Sequence, residues 1–375
     1  MSEVKNWHLN RLMQYPYDEK RPNKQLAYVF DTNKCIACQT CTVACKTTWT
    51  SGKGQEGMFW NNVETKPYGG YPAAWDVKLL NKMGPQEWDG DLYTGQTIFE
   101  SQDAGERVNG HMPETEDYAY PNLGVDEISG VVDRGAFFQG AHNVWMYYLA
   151  RICNHCTYPG CLAACPRKAI YKREQDGVVL IDQSRCRGYK ECVKACPYKK
   201  TFFNMVTRTS EKCIGCYPLL EQGEQPRCVQ TCIGKIRMAG WLSKPGEERQ
   251  DNPIDYLVRI KKVALPLYPQ YGTEPNVYYI PPVHVPKEFL WEMFGPGAED
   301  AIAQYRAIRN DPKMMAAMVL FGNTPKIITR YVSDAKYSIG YNEKDEEVVR
   351  VPLIEPFFER DMFDPIKNVY RHNTA

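Results

Sequence analysis

Cys35-Ile-Ala-Cys38-Gln-Thr-Cys41-Thr-Val-Ala-Cys45 is the stretch from which the rest of the chain is read. Its spacing is C-x2-C-x2-C-x3-C. Three further runs follow it. Cys153, Cys156, Cys161 and Cys165 form C-x2-C-x4-C-x3-C before Pro166. Cys186, Cys192 and Cys196 form C-x5-C-x3-C before Pro197. Cys213, Cys216, Cys228 and Cys232 form C-x2-C-x11-C-x3-C. These runs use all 15 cysteines of the 375 residues. Such spacing brings thiolates around cubane iron–sulfur clusters, with the fourth cysteine of a run ligating the neighbouring cluster. Four runs imply four clusters, and hence a conduit for electrons.

The alternatives are weaker. A zinc ribbon needs two C-x2-C pairs per metal and has no use for the first run. An odd number of clustered cysteines argues against a disulfide framework. Gly52, Gly54 and Gly57 match G-x-G-x-x-G, but a cysteine run precedes them where a dinucleotide site needs a strand. No acid–base constellation stands out, and no cysteine is left over as a nucleophile, so no catalytic residue is assigned. A self-contained enzyme, with substrate bound at an open iron of one cluster, is the rival from another class.

Composition describes an ordinary globular chain, 43% hydrophobic and 24% charged. No run is long enough for a membrane span. Met1 to Lys20 has no apolar core of the kind a secretory peptide carries. The net charge of +1 is silent on partners, but its distribution is not. Residues 151–212 hold thirteen Lys or Arg against five Asp or Glu. These cations interleave with cysteines instead of forming a separate patch, so they read as partners of anionic clusters and not as a nucleic-acid surface.

An internal repeat organises the chain. Val29-Phe30-Asp31 leads to Lys34-Cys35, and Leu180-Ile181-Asp182 leads to Arg185-Cys186. Each reads as a short strand, a polar turn, a cation and the first cysteine of a run. Tyr28–Phe30 and Val178–Ile181 are the predicted strands, and short helices are predicted after Cys38, Cys192 and Cys228. The fold class is α+β, with two nested bacterial-ferredoxin-like lobes. Residues 1–45 and 205–245 make the outer lobe and 151–204 the inner. Residues 46–150 form an insertion holding Trp49, Trp60, Trp75, Trp88 and Trp145, which reads as an interface for a catalytic subunit, with satellite core as the alternative for the tryptophans. Residues 246–375 form a C-terminal helical and extended wrap. Within it Glu299–Arg309 and Lys313–Phe321 are predicted helices, the second capped by Asp311-Pro312 and stopped by Gly322, with Met314, Met315 and Met318 as core. The tail from Asp345 is expected to wrap another surface.

Tyr189 is the most informative single residue. In Cys186-x-x-Tyr189-x-x-Cys192-x3-Cys196 it stands where a full run has its second cysteine. A phenol is a poor substitute for a thiolate on iron, so this site is expected to omit one iron and hold a [3Fe–4S] cluster. His155, inside the second run, is expected to hydrogen-bond near a cluster without ligating it. His8, His111, His142, His284 and His372 show no ligand spacing.

The first run with Lys46, the stretch Phe59-Trp60-Asn61-Asn62-Val63-Glu64-Thr65-Lys66-Pro67, Cys186-Arg187-Gly188-Tyr189 and Cys196-Pro197-Tyr198-Lys199-Lys200 resemble a known group. They are similar to the electron-transfer β subunits of type II molybdoenzymes of the dimethyl sulfoxide reductase family. That group includes nitrate, selenate and chlorate reductases, nitrite oxidoreductase, and dimethyl sulfide and ethylbenzene dehydrogenases. Gly69-Gly70-Tyr71-Pro72 and Trp75-Asp76-Val77-Lys78-Leu79 resemble the ethylbenzene and steroid C25 dehydrogenase branch. The resemblance implies three [4Fe–4S] clusters, held by Cys35, Cys38, Cys41 and Cys232; by Cys45, Cys213, Cys216 and Cys228; and by Cys153, Cys156, Cys161 and Cys196. It implies a [3Fe–4S] cluster held by Cys165, Cys186 and Cys192. It further implies a molybdenum bis-pterin α subunit beside the first cluster, a haem b γ subunit beside the fourth, and periplasmic location by co-export with α. The cytoplasmic face of the membrane is the alternative location. An ethylbenzene dehydrogenase-like complex is the first expectation, and a nitrate/nitrite, selenate or chlorate oxidoreductase the alternative.

Overall fold

The computed structural model describes residues 2–17, 21–67, 69–119, 145–354, 363–364 and 366–370. Gln25–Asp31 is its central strand, and all seven residues are buried. It pairs antiparallel with Arg237–Leu242, Tyr28 opposite Ala239, and parallel with Val277–Ile280, Tyr28 opposite Val277. Leu265–Pro266 completes the four-stranded sheet on the outer side of Val277–Ile280.

Successive residues of a strand point to opposite faces, and here both faces are covered. Leu26, Tyr28 and Phe30 enter a core that includes Cys41, Cys156, Cys196 and Cys228. Ala27 and Val29 enter a second core with Ile254, Leu257, Met314, Ala317, Met318 and Phe321. The sheet therefore has the cysteine-rich core on one face, joined by Leu290, Met293, Phe294, Ala298 and Ala301, and on the other a core drawn mostly from Ile254 to Tyr331. The segment past 246 does more than wrap, because Val277–Ile280 is a buried strand of the central sheet.

The cysteine runs form short helices. Thr40–Trp49 carries Cys41 and Cys45, Gly160–Ala164 carries Cys161, Glu191–Ala195 carries Cys192, and Arg227–Gln230 carries Cys228. Thr40–Trp49 packs against Arg227–Gln230, and Gly160–Ala164 against Glu191–Ala195. Hairpins Ile170–Lys172/Val179–Ile181 and Thr201–Asn204/Thr209–Lys212 flank them.

The tryptophans of the insertion follow the satellite-core alternative in their packing. Trp75 is 0% exposed, and its Nε1 donates to Glu64 Oε2 at 3.1 Å. Trp60 is buried beside Cys45, Cys153 and Cys213, while Trp49, Trp88 and Trp145 are partly buried against the chain's own cores. These aromatics pack against the chain's own cores. The cause is a pairing that sequence does not show: Asn62–Lys66 runs antiparallel to Tyr147–Arg151, tying both ends of the insertion to the body. Residues 120–144 of the insertion lie outside the described residues.

Past residue 286 the chain forms the helices Lys287–Phe294, Ala298–Arg306 and Pro312–Met318. Asp311 caps the last by accepting from Met314 N at 2.9 Å. Met314 and Met318 are buried, and Met315 is half-buried. Past Asp345 the chain adds Glu347–Pro352 to an antiparallel sheet with Tyr337–Tyr341 and Arg330–Ser333. The rest of the tail, 355–375, lies largely outside the described residues. Among the described residues no helix is long and apolar enough to cross a membrane.

Candidate metal centres

The cysteine runs share one backbone device. Ala37, His155, Gly188 and Gly215, each third from the start of its run, adopt φ of +53°, +41°, +68° and +65°. This left-handed step gives the four runs the same turn before their fourth residue. That fourth residue is Cys38, Cys156, Tyr189 or Cys216. A second device follows three of the runs. Lys168, Lys199 and Lys235, three residues past Cys165, Cys196 and Cys232, also have positive φ, and each N–H donates to that cysteine's carbonyl.

The thiols gather in four places. Cys35, Cys38, Cys41 and Cys232 line one cavity together with Arg237. Cys153, Cys156, Cys161 and Cys196 line another, with His155, Lys200 and Lys212. In the third place burial pushes the Cys45 thiol up to about 12, with the neighbouring Cys216 adding to the shift. Cys213 and Cys228 are raised in the same way, first by burial, and both lie near Cys45 and Cys216. In the fourth, burial pushes Cys192 up to about 12, and Cys165 and Cys186 add to it.

The four places form a line. Thr40–Trp49 carries Cys41 of the first and Cys45 of the third, and Arg227–Gln230 with its exit carries Cys228 and Cys232. Cys213 and Cys153 sit together beside Trp60. Cys161 and Cys192 share a small core with Val193 and Ile170. The order is thus the Cys35 site, the Cys45 site, the Cys153 site and the Cys186 site.

The surroundings suit cluster ligation. All 15 cysteines are free thiols. Burial favours the neutral thiol, whereas a ligand must be a thiolate, so metal capture here releases protons and stabilises the fold. Sulfur acceptors meet N–H donors: Ala169 N to Cys165 Sγ at 3.3 Å, Ser210 N to Cys186 Sγ at 3.3 Å, Gly215 N to Cys213 Sγ at 3.3 Å, and Lys200 N to Cys196 Sγ at 3.4 Å. Trp49 Nε1 donates to Cys216 Sγ at 3.2 Å. Hydrogen bonds of this kind tune cluster potentials. Among the described residues no three His, Cys, Asp or Glu side chains converge on a point that a single metal ion would occupy.

His155 Nδ1 accepts from Val179 N at 3.1 Å, so in the neutral ring the proton is on Nε2. Nε2 is buried without a partner among the described residues, and the ring lines the Cys153 cavity, which fits a donor to a bound cluster. His8 and His284 lie elsewhere, His8 Nε2 at 3.3 Å from the Tyr278 hydroxyl and His284 Nε2 at 2.8 Å from the Met146 carbonyl. Burial, with Lys199 nearby, lowers His111 to about 3. His142 and His372 lie outside the described residues.

Sequence reasoning saw an excess of cations but not where they go. Lys200, Lys212 and Arg237 are buried among the thiols. Lys212 lies near Cys153, Cys161 and Cys213, whose charges outweigh burial and raise it. Burial pushes Lys200 well down, with Arg151 adding and Glu64, Cys45 and Cys196 opposing. Burial also works against the Arg237 charge, but Cys41, Cys228, Cys232 and Cys35 outweigh it. The only sequence signal for Arg237 is an arginine opening an otherwise apolar strand.

A chain with four thiol groups in line, lined by N–H donors and buried cations, is of the multi-cluster iron–sulfur class. A family model described as a 4Fe-4S dicluster domain matches residues 144–242. The chain is 46% identical over 310 residues to the selenate reductase β subunit of Thauera selenatis, covering 75% of this chain and 89% of the relative. It is 45% identical to the chlorate reductase β subunit of Ideonella dechloratans, covering 75% and 89%. It is 30% identical to the respiratory nitrate reductase 1 β chain of Escherichia coli (strain K12), covering 81% and 78%. The chain belongs to the β subunits of type II dimethyl sulfoxide reductase family molybdoenzymes, which are non-catalytic electron-transfer subunits of oxidoreductase complexes. These relatives support the oxyanion-reductase alternative better than the ethylbenzene dehydrogenase branch.

Proposed function

We propose that this chain relays electrons between a molybdenum bis-pterin α subunit and a haem b γ subunit, in a complex of the selenate, chlorate and nitrate reductase kind. Cys35, Cys38, Cys41 and Cys232 would hold the first [4Fe–4S] cluster, and Cys45, Cys213, Cys216 and Cys228 the second. Cys153, Cys156, Cys161 and Cys196 would hold the third, and Cys165, Cys186 and Cys192 a [3Fe–4S] cluster. The clusters supply one-electron redox steps. The residues supply spacing, burial and hydrogen bonds to sulfur. The observation that carries the reading is the linear order of the four thiol groups, with adjacent groups joined by a shared helix or a side-by-side cysteine pair.

The nested-lobe plan has support in the same packing. Thr40–Trp49 with Arg227–Gln230, and Gly160–Ala164 with Glu191–Ala195, are two helix pairs built from the outer and inner runs respectively. Both ends of the line reach the surface through apolar residues. Ile36, Val43 and Ile233 are exposed around the first site, and Tyr189, Met205 and Val206 around the last. Exposed apolar clusters suit partner contact. We assign the first patch to the α subunit, together with the outer side of the 46–150 insertion, where Val77, Met112 and Met146 are exposed. The second patch we assign to γ. Export to the periplasm together with α is part of this reading.

Anaerobic purification from the native source tests it. A large molybdenum-containing subunit is expected to copurify. Selenate, chlorate or nitrate is expected to change the visible absorbance of the reduced clusters only when that subunit is present. Turnover of any of these by the lone chain would support the self-contained enzyme instead.

A further inference from the structure

Arg237 is 1% exposed and opens the strand Arg237–Leu242, opposite Phe30 of the central strand. Its guanidinium carbon lies 4.4 Å from the Phe30 ring centroid. Nη2 donates to Cys41 Sγ at 3.0 Å, and Nη1 to Asn61 Oδ1 at 3.4 Å, while Nε has no partner among the described residues. A buried guanidinium without a counter-charge is strongly unfavourable. The foremost charges bearing on this one are sulfur, Cys41 first, then Cys228, Cys232 and Cys35. Three of those four line the first cavity, and the fourth belongs to the adjacent group.

We propose that Arg237 is the resident counter-ion of the first site, a positioning residue that raises the reduction potential of the cluster held there. Reduction adds an electron to an already anionic centre. A fixed cation hydrogen-bonded to one of its ligands, in a low-dielectric interior, stabilises the reduced form more than the oxidised form. Lysine titration plays no part, because a guanidinium stays charged throughout. The inference rests on the cluster reading of this site. Iron content separates the two, since a site without iron fails that reading, whereas an iron-replete site with an unmoved potential fails only this one.

EPR-monitored redox titration of the holo complex tests the proposal. Arg237→Gln keeps a donor and removes the charge. Asn61→Asp keeps Arg237 and places a carboxylate against it, and it sacrifices no hydrogen bond because Asn61 Nδ2 is unpartnered. In each variant one four-iron couple is expected to move to lower potential. The reduced-to-oxidised ratio at the wild-type midpoint should fall at least tenfold, about 59 mV for one electron. Arg237→Lys should retain most of the wild-type value. If Arg237→Gln loses iron, Asn61→Asp decides. Unchanged potentials in iron-replete variants, or an equal shift of all four couples, would overturn the proposal.

Discussion

Replacing Arg151 with methionine is expected to destabilise the protein by about 3–5 kcal/mol, the range for breaking a buried ion pair from one side. Arg151 and Glu64 are both fully buried and paired. Nη1 of Arg151 donates to the Tyr198 carbonyl at 2.7 Å, and Nη2 donates to the Tyr71 carbonyl at 2.9 Å as well as to Glu64. Its guanidinium lies 4.0 Å from the Trp75 ring centroid. Glu64 also accepts from Trp75 Nε1, Asn62 Nδ2 and Tyr71 N. Burial works to raise the Glu64 carboxyl, but Arg151 and Lys66 hold it below the usual range. Methionine would leave that carboxylate buried without its main counter-charge and free the Tyr198 carbonyl two residues past Cys196. The urea midpoint, followed by far-UV circular dichroism and by visible absorbance, checks this. The double variant Glu64→Leu with Arg151→Met should cost less than Arg151→Met alone, because it leaves no orphaned charge. A single variant no worse than the double would show that the pair is not what secures the insertion.

The second large effect concerns Tyr189. Its side chain is 61% exposed, and it follows Gly188, whose φ of +68° repeats the turn found before Cys38, Cys156 and Cys216. A cysteine at 189 would therefore present its thiol where the other three runs present theirs. Tyr189→Cys is expected to abolish the oxidised [3Fe–4S] EPR signal and to create a fourth four-iron couple at lower potential. The backbone needs no rearrangement, so the other three couples should stay in place. A wild-type protein with four irons at this site, silent in the oxidised state, would defeat the assignment.

The gathering of the thiols was legible because cysteine spacing is local. The cysteine runs and the short helices that carry them depend on neighbours in sequence. The strand at Tyr28–Phe30 was legible for the same reason, as a β-branched and aromatic run. The rest depends on distant pairings. Val277–Ile280 joins the central strand in parallel across about 250 residues, and four apolar residues alone carry no mark of that partner. The insertion tryptophans looked like interface residues because the stretch lacks periodicity. Trp75 packs against the Glu64–Arg151 pair, which forms only when Asn62–Lys66 meets Tyr147–Arg151, and against Tyr198 and Tyr268. Arg237 escaped notice because a lone arginine in a strand gives no hint of the sulfur it will touch. Of the residues in the positive stretch 151–212, the structure buries Lys200 and Lys212 among the thiols.

Iron, acid-labile sulfide and zinc analysis of the anaerobically purified chain tests the four-cluster reading most directly. Three [4Fe–4S] clusters and one [3Fe–4S] cluster require roughly fifteen iron ions per chain and a similar amount of sulfide. The expected result is iron near that value with negligible zinc. Stoichiometric zinc with little iron and no labile sulfide would contradict it.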